Sequence, residues 1–246
     1  MVPTFLPLIY LSFVGFGVAS MEVVNVMVAA SRNHYGGLLG VVASAFAASR
    51  RPEALNFLLL VPPGDTEAVL RAARCAAPEA SVRVMDFDLG DWPFRRHHHP
   101  LSSRQRLADP LNYARFFVGD LFSNESDLVI YLDADVVVRR DLADLRAEAE
   151  VSLTQKTGAV VAVAPRDFKR VCGHLVHCRQ AARVANSTEA RLEARLHAFN
   201  AGVVVFHLER WRARRIKDDV AKWIASNAKN NDIYDLGSNP PLVLAV

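Results

Sequence analysis

Three cysteines in 246 residues are too few for a fold stapled by many disulfides, and they leave the redox compartment open. There is no basic or acidic tract: 29 basic and 26 acidic side chains are scattered along the chain for a net charge of +3, which argues against a nucleic-acid partner. Repeats, low-complexity segments and an interdomain linker are also missing. What remains is a chain of 51% hydrophobic content, suited to one α/β domain with a sizeable core over residues 21–246.

Charge is absent from the first 21 residues, and Phe5 to Ala19 is almost wholly apolar. The run is short for a transmembrane helix. It fits the apolar region of a signal peptide over residues 1–20, with Val18 and Ser20 at small-residue cleavage positions, although no Lys or Arg precedes it. A short membrane anchor is the alternative, and a buried N-terminal strand is the plain structural one. Sequons at Asn124 and Asn186 add to an expectation of the secretory pathway, with the Golgi lumen as destination.

Short apolar runs alternate with helical patterns. Val23–Ala29, Leu55–Val61 and Ser81–Phe87 read as strands, and 38–48 and Thr66–Ala76 as helices. That alternation predicts a mostly parallel sheet flanked by helices. A loop spans Gly90 to Arg106, and a helix is predicted over Pro110–Phe122. Leu128–Leu132 then reads as a fully buried strand that delivers Asp133-Ala134-Asp135 at its end. Beyond it the pattern predicts a helix from Asp141 to about Glu150, a strand at Ala159–Val163, a polar helix over Arg179–His197, a strand at Val203–Phe206 and a basic helix over Glu209–Ala225. Leu242–Val246 reads as a buried strand or helix segment.

If the extended conformation continues past Asp133, the carboxylates of Asp133 and Asp135 project to one side and can share a hard divalent cation. Acidic residues after strands also serve as caps and turn formers, so the triplet is weak by itself. Two other clusters offer ligands. Cys172, His174, His177 and Cys178 are too compactly spaced for an ordinary zinc pattern and equally suit a disulfide or a helix face, and His97–His99 suits a solvated loop.

Taken in order, Leu111-Asn112-Tyr113-Ala114-Arg115-Phe116, Tyr131-Leu132-Asp133-Ala134-Asp135, Phe199-Asn200-Ala201-Gly202-Val203 and Glu209-Arg210-Trp211 resemble glycosyltransferase family eight. Leu236-Gly237-Ser238-Asn239-Pro240-Pro241 looks most like the plant galacturonosyltransferase-like branch. The resemblance implies a GT-A fold with a Rossmann-like half. It also implies transfer of a hexosyl or uronosyl unit, with retention, from a nucleoside-diphosphate sugar, UDP-linked by expectation, to a glycan hydroxyl.

On that resemblance Asp133 and Asp135 would bind Mn2+ or Mg2+, with Ala134 between them beside the donor. Arg115 would lie near donor sugar and phosphates. Asn200 and Gly202 would contact the sugar, and Asp235 would match the acidic position that some members carry near the reacting sugar. Asn33 and Tyr35 in the first loop would meet the nucleotide, where a tyrosine face can pack on the base and a core aromatic is the alternative.

The pattern is broken at Arg32, which stands where the family carries an aspartate for the base. The family's His-x-x-Gly-x-x-Lys-Pro-Trp segment, with a third metal ligand and a phosphate-binding lysine, is not in these 246 residues. Low transfer activity for this stretch is the resulting expectation, with His207 or Asp235 as substitutes in the site. A rival reading is a non-catalytic nucleotide-sugar or glycan-binding homologue, or a partner subunit.

Overall fold

The computed structural model describes residues 23–90, 109–122, 127–156, 158–170, 172, 175–187, 197–228, 233–234 and 237–246. The N-terminal apolar run, His97–His99, Asn124 and Asp235 lie outside the described residues.

Six strands form one sheet in the order β3-β2-β1-β4-β6-β5. They are β1 (Val24–Ala29), β2 (Leu55–Val61), β3 (Ser81–Asp86), β4 (Leu128–Asp133), β5 (Val161–Arg170) and β6 (His197–His207). β1 pairs in parallel with β2 and β4, and β2 with β3, whereas β6 runs antiparallel to both β4 and β5. The sheet is therefore mixed and mostly parallel, as the alternation of patterns predicts.

Both faces are covered, and the period of two along each strand divides the core accordingly. In β4, Leu128, Ile130 and Leu132 pack with Val26, Val28 and Leu38 on one face. Val129 and Tyr131 pack with Met27, Phe116 and Trp211 on the other. Two covered faces explain why β2 and β4 read as unbroken apolar runs.

The helices are α1 (Tyr35–Ala48), α2 (Thr66–Ala76), α3 (Val118–Leu121), α4 (Leu142–Gln155), α5 (Cys178–Val184), α6 (Leu208–Ala213), α7 (Ile216–Ala228) and α8 (Asn239–Ala245). Asp141 caps α4 by accepting the Ala143 N–H at 2.9 Å. Cys172 and Cys178 form a disulfide that closes the approach to α5.

Several segments depart from the sequence reading. Pro110–Phe117 is a 3-10 helix, and only α3 beyond it is α-helical. Asp109 caps it and Pro110 opens it, and its threefold period sets Asn112 and Arg115 on one face. The basic helix is two helices, because Arg215 takes a left-handed φ of 55° and the chain restarts as α7. β6 is longer than Val203–Phe206, and β5 runs beyond Val163 to Arg170. The polar helix over Arg179–His197 is reduced among the described residues to α5, which ends at Val184 and is followed by a turn in which Asn186 has φ 50°. Leu242–Ala245 belongs to α8, with Val246 as its C-cap; the helix is opened by Pro240 and Pro241 and packed by Leu242, Val243 and Leu244 into the core. No helix among the described residues is long and apolar enough to cross a membrane.

Candidate functional site

From β1 the chain moves outward to β2 and β3, then crosses back to β4 on the other side of β1. The reversal leaves a crevice at the carboxyl ends of β1 and β4, the place where open α/β sheets bind ligands. The segments following those strands are 30–35 and 134–140.

Asp133 is the last residue of β4 and lies opposite Ala29 of β1. The extended conformation stops there, since Ala134 and Asp135 form a turn closed by the Val136 N–H donating to the Asp133 carbonyl at 3.2 Å. A shared projection of the two carboxylates by strand pleat therefore does not hold. The turn, fixed also by the Val138 N–H donating to Ser44 Oγ at 3.0 Å, sets Asp135 in solvent and Asp133 half-buried beside it. The close fit of α1 reinforces it: a Cβ on Gly37 would lie 2.1 Å from the Ala134 carbonyl oxygen.

Arg115 is only 2% exposed and works from within. Its Nη2 donates to Asp133 Oδ1 at 2.8 Å, its Nη1 to the Ala201 carbonyl at 2.5 Å, and its guanidinium lies 4.4 Å from the centre of the Tyr131 ring. Nε is buried with no hydrogen-bond partner among the described residues. One cation thus ties the 3-10 helix, the end of β4 and the middle of β6 together. Burial pushes the Tyr131 phenol up, opposed by the Arg115 charge and helped by the bond to Asp133. It stays protonated and can donate to the carboxylate.

Asn200 and Gly202 sit in an irregular stretch of β6. Val163 pairs with Val204 while Ala164 pairs with Asn200, so residues 201–203 bulge away from β5 as Val203 keeps its pairing with Leu132 of β4. Asn200 Oδ1 accepts the Gly202 N–H at 2.9 Å, and a Cβ on Gly202 would stand 3.0 Å from Asp133 Oδ2. Glycine here lets the β6 backbone come close to the carboxylate.

A second tier includes Asn112, Tyr113 and Asp65, to which the sequence reading gave no role of their own. Asn112 Oδ1 accepts from Ser238 Oγ at 3.1 Å and from Arg115 Nη2 at 3.5 Å, linking the site to the segment before α8. The Tyr113 phenol takes a bond from the Gly237 backbone and is pushed up chiefly by burial. Asp65, beyond β2, accepts from Arg32 Nε at 2.6 Å and from the Tyr35 hydroxyl at 2.7 Å through the same oxygen, Oδ2. The signal in the sequence is Pro62-Pro63-Gly64-Asp65, a turn that sets an acid at a strand's carboxyl end. Asn33 is exposed in the first loop, and Tyr35 is half-buried at the start of α1.

His207 stands apart. It pairs with Leu128 at the start of β4, five residues or roughly 16 Å along the strand from Asp133, so it does not complete the site. Among the described residues no group of three or more His, Cys, Asp or Glu could hold a metal ion. Two carboxylates, Asp133 and Asp135, remain as hard oxygen donors. They fit such an ion in chemistry: Asp133 is 36% exposed at its side chain, and the glycine opposite keeps its Oδ2 side uncrowded.

Comparison with known proteins gives this geometry a family. Two relatives from Arabidopsis thaliana, described as probable galacturonosyltransferase-like 7 and probable galacturonosyltransferase-like 4, are 31% and 29% identical to the chain. Each alignment takes in 93% of the chain but only 59% and 62% of the relative, so the chain spans about three fifths of their length. Among solved structures, an active-site mutant of LgtC matches with a TM-score of 0.60 at 22% identity, over 88% of the chain and 68% of its own length. Mouse xyloside xylosyltransferase 1 in its apo form matches with a TM-score of 0.60 at 14% identity, over 90% and 80%. The fold is that of GT-A glycosyltransferases. The model of "Glycosyl transferase family 8" matches residues 25–246, and the chain belongs to that family.

Proposed function

We propose that this chain forms the donor-binding core of a retaining glycosyltransferase that moves a hexosyl or uronosyl unit from a UDP-sugar to a glycan hydroxyl. The names of the Arabidopsis relatives favour a uronosyl unit. The observation that carries the reading is the meeting of Asp133, Asp135 and the Asn200–Gly202 bulge at the reversal point of the sheet.

Asp133 and Asp135 would hold a divalent cation, Mn2+ or Mg2+, whose charge offsets that of the departing diphosphate. Arg115 sets the Asp133 carboxylate in place and neutralises part of its charge from the buried side. Asn200 presents its amide nitrogen as a donor to sugar hydroxyls while its oxygen is engaged by Gly202. In the proposed transfer the anomeric C–O bond to the diphosphate breaks as the acceptor oxygen bonds from the same face. The acceptor proton passes to a diphosphate oxygen. The residues then contribute positioning and charge rather than a nucleophile.

The secretory pathway and the Golgi lumen complete the reading. A disulfide between Cys172 and Cys178 suits an oxidising compartment, and Asn186 of the second sequon is exposed in a turn.

Calorimetry of the 246-residue chain with UDP and Mn2+ tests the proposal. Asp133→Asn and Asp135→Asn should each weaken metal-dependent binding by about tenfold or more, about 1.4 kcal/mol. Unchanged affinity in both variants removes the assignment.

A further inference from the structure

The cluster at the carboxyl ends of β1 and β2 is not used by the transfer chemistry. We propose that Asp65 is the carboxylate that selects the nucleobase of the donor, held for that task by Arg32 and Tyr35. The inference deepens the reading of a nucleotide-sugar donor and rests on it.

Position comes first. Asp133 and Asp135 stand after β4 on one side of the reversal point, and Arg32 and Tyr35 follow β1 on the other. The first turn of α1 joins the two sides, because Gly37, two residues past Tyr35, packs on the Ala134 carbonyl. A donor with its diphosphate at the carboxylate turn therefore has its nucleoside end free to run over the loops after β1 and β2. Asp65 comes from the second of these loops, just past the left-handed Gly64 with φ 91°.

The chemistry of the cluster then decides what it can read. Asp65 Oδ2 takes both bonds, from Arg32 Nε and from the Tyr35 hydroxyl. Oδ1 has no hydrogen bond among the described residues, and the Asp65 side chain is 22% exposed. Arg32, at 66% exposure, meets Asp65 through Nε and also lies within reach of the Tyr35 hydroxyl, with the rest of its guanidinium turned to solvent. Asp65 makes no side-chain cap to α2, so the start of that helix does not explain its placement. The bonds to Arg32 and Tyr35 hold its carboxyl below the usual range, and the Tyr35 phenol is pushed up by burial and by Asp65. Near neutral pH Asp65 is thus ionised and paired with the Arg32 cation, with a protonated tyrosine beside it.

One available acceptor oxygen beside guanidinium donors complements a base edge with one N–H between carbonyl groups. Uracil has that edge, with its imide N3–H between O2 and O4. Guanine offers two adjacent donors, N1–H and the N2 amino group, and would need both carboxylate oxygens, of which Oδ2 is already engaged. The cluster accordingly favours uracil over guanine.

The test is calorimetry of the 246-residue chain in Mn2+ with three probes: UDP, GDP and the diphosphate of 3-methyluridine, in which a methyl group replaces the N3 hydrogen. UDP should bind about tenfold or more tightly than the methylated probe, and in Asp65→Ala the two should bind within about twofold of each other. If the unsubstituted chain binds UDP and 3-methyl-UDP equally, the proposal is overturned without any variant. Discrimination that survives in a folded Asp65→Ala, checked by circular dichroism, overturns it too. A chain that binds none of the three, or binds them independently of Asp133 and Asp135, overturns the donor reading and this inference with it.

Discussion

The two halves of the sheet place their side chains at the site differently. On the β1-β2-β3 side the pairing is parallel and in unbroken register, six residue pairs between each neighbouring couple, and the polar cluster of Arg32, Tyr35 and Asp65 follows the ends of its strands. On the β4-β6-β5 side the pairing with β6 is antiparallel, and β5 slips register twice against β6, between Val163 and Ala164 and between Pro165 and Arg170. There Asn200 and Gly202 stand within a strand. A regular ladder can present only its ends, whereas a bulge opens the middle of a strand to a ligand and to the neighbouring carboxylate.

The largest effect expected from breaking this contrast comes at Asp133, the residue both halves share. Asp133→Ala leaves the Arg115 guanidinium buried without its counter-ion and should cost about 3 kcal/mol of stability. Asp135→Ala lies on the exposed turn and should cost under about 0.5 kcal/mol. Urea denaturation of both variants measures the difference, and equal losses would show that Arg115 does not depend on Asp133.

Two glycines sharpen the contrast further. Gly37→Ala drives a Cβ against the backbone carbonyl of Ala134, which cannot swing aside. A loss of about 2 kcal/mol is expected even after the helix gains an alanine. Gly202→Ala meets side-chain oxygens of Asp133 and Asn200 at 3.0 and 3.2 Å instead, so about 1 kcal/mol or less is expected. The reverse order in denaturation midpoints would contradict this account of both contacts.

The smallest effect belongs to His207, at the far end of β6 from the site. Burial lowers its pKa from 6.5, as does Arg210, against the opposing charges of Glu209 and Asp127. The unfolded chain therefore binds more protons than the folded one below pH 6.5. The contribution of His207 is present above that pH and is lost as pH falls below it. His207→Asn should flatten the decline in melting temperature between about pH 6.5 and 5. A decline as steep as in the unsubstituted chain would place the acid sensitivity elsewhere.

How far the fold was legible follows from which forces are local. β2 and α2 begin and end where the apolar run and the helical pattern say, because Pro62-Pro63-Gly64 ends one and Thr66 opens the other. The break at Arg214 and Arg215 was not legible, since a left-handed arginine carries no signal like that of glycine. Asp133 and Asp135 were recognisable from a buried strand ending in acids, but their relation was not, because the turn at Ala134 depends on contact with α1.

Alternation of patterns along the chain was enough to specify an α/β sheet, its covered faces and the strand that delivers Asp133. Those are properties of neighbours in sequence, and hydrophobic periodicity records them directly. The antiparallel direction of β6, the pairing of Arg115 with Asp133 and the capture of Asp65 by Arg32 belong to the folded chain. Each joins residues 18 to 79 positions apart, and which distant partners meet is set by packing and by the need to satisfy buried charge, neither of which leaves a local pattern.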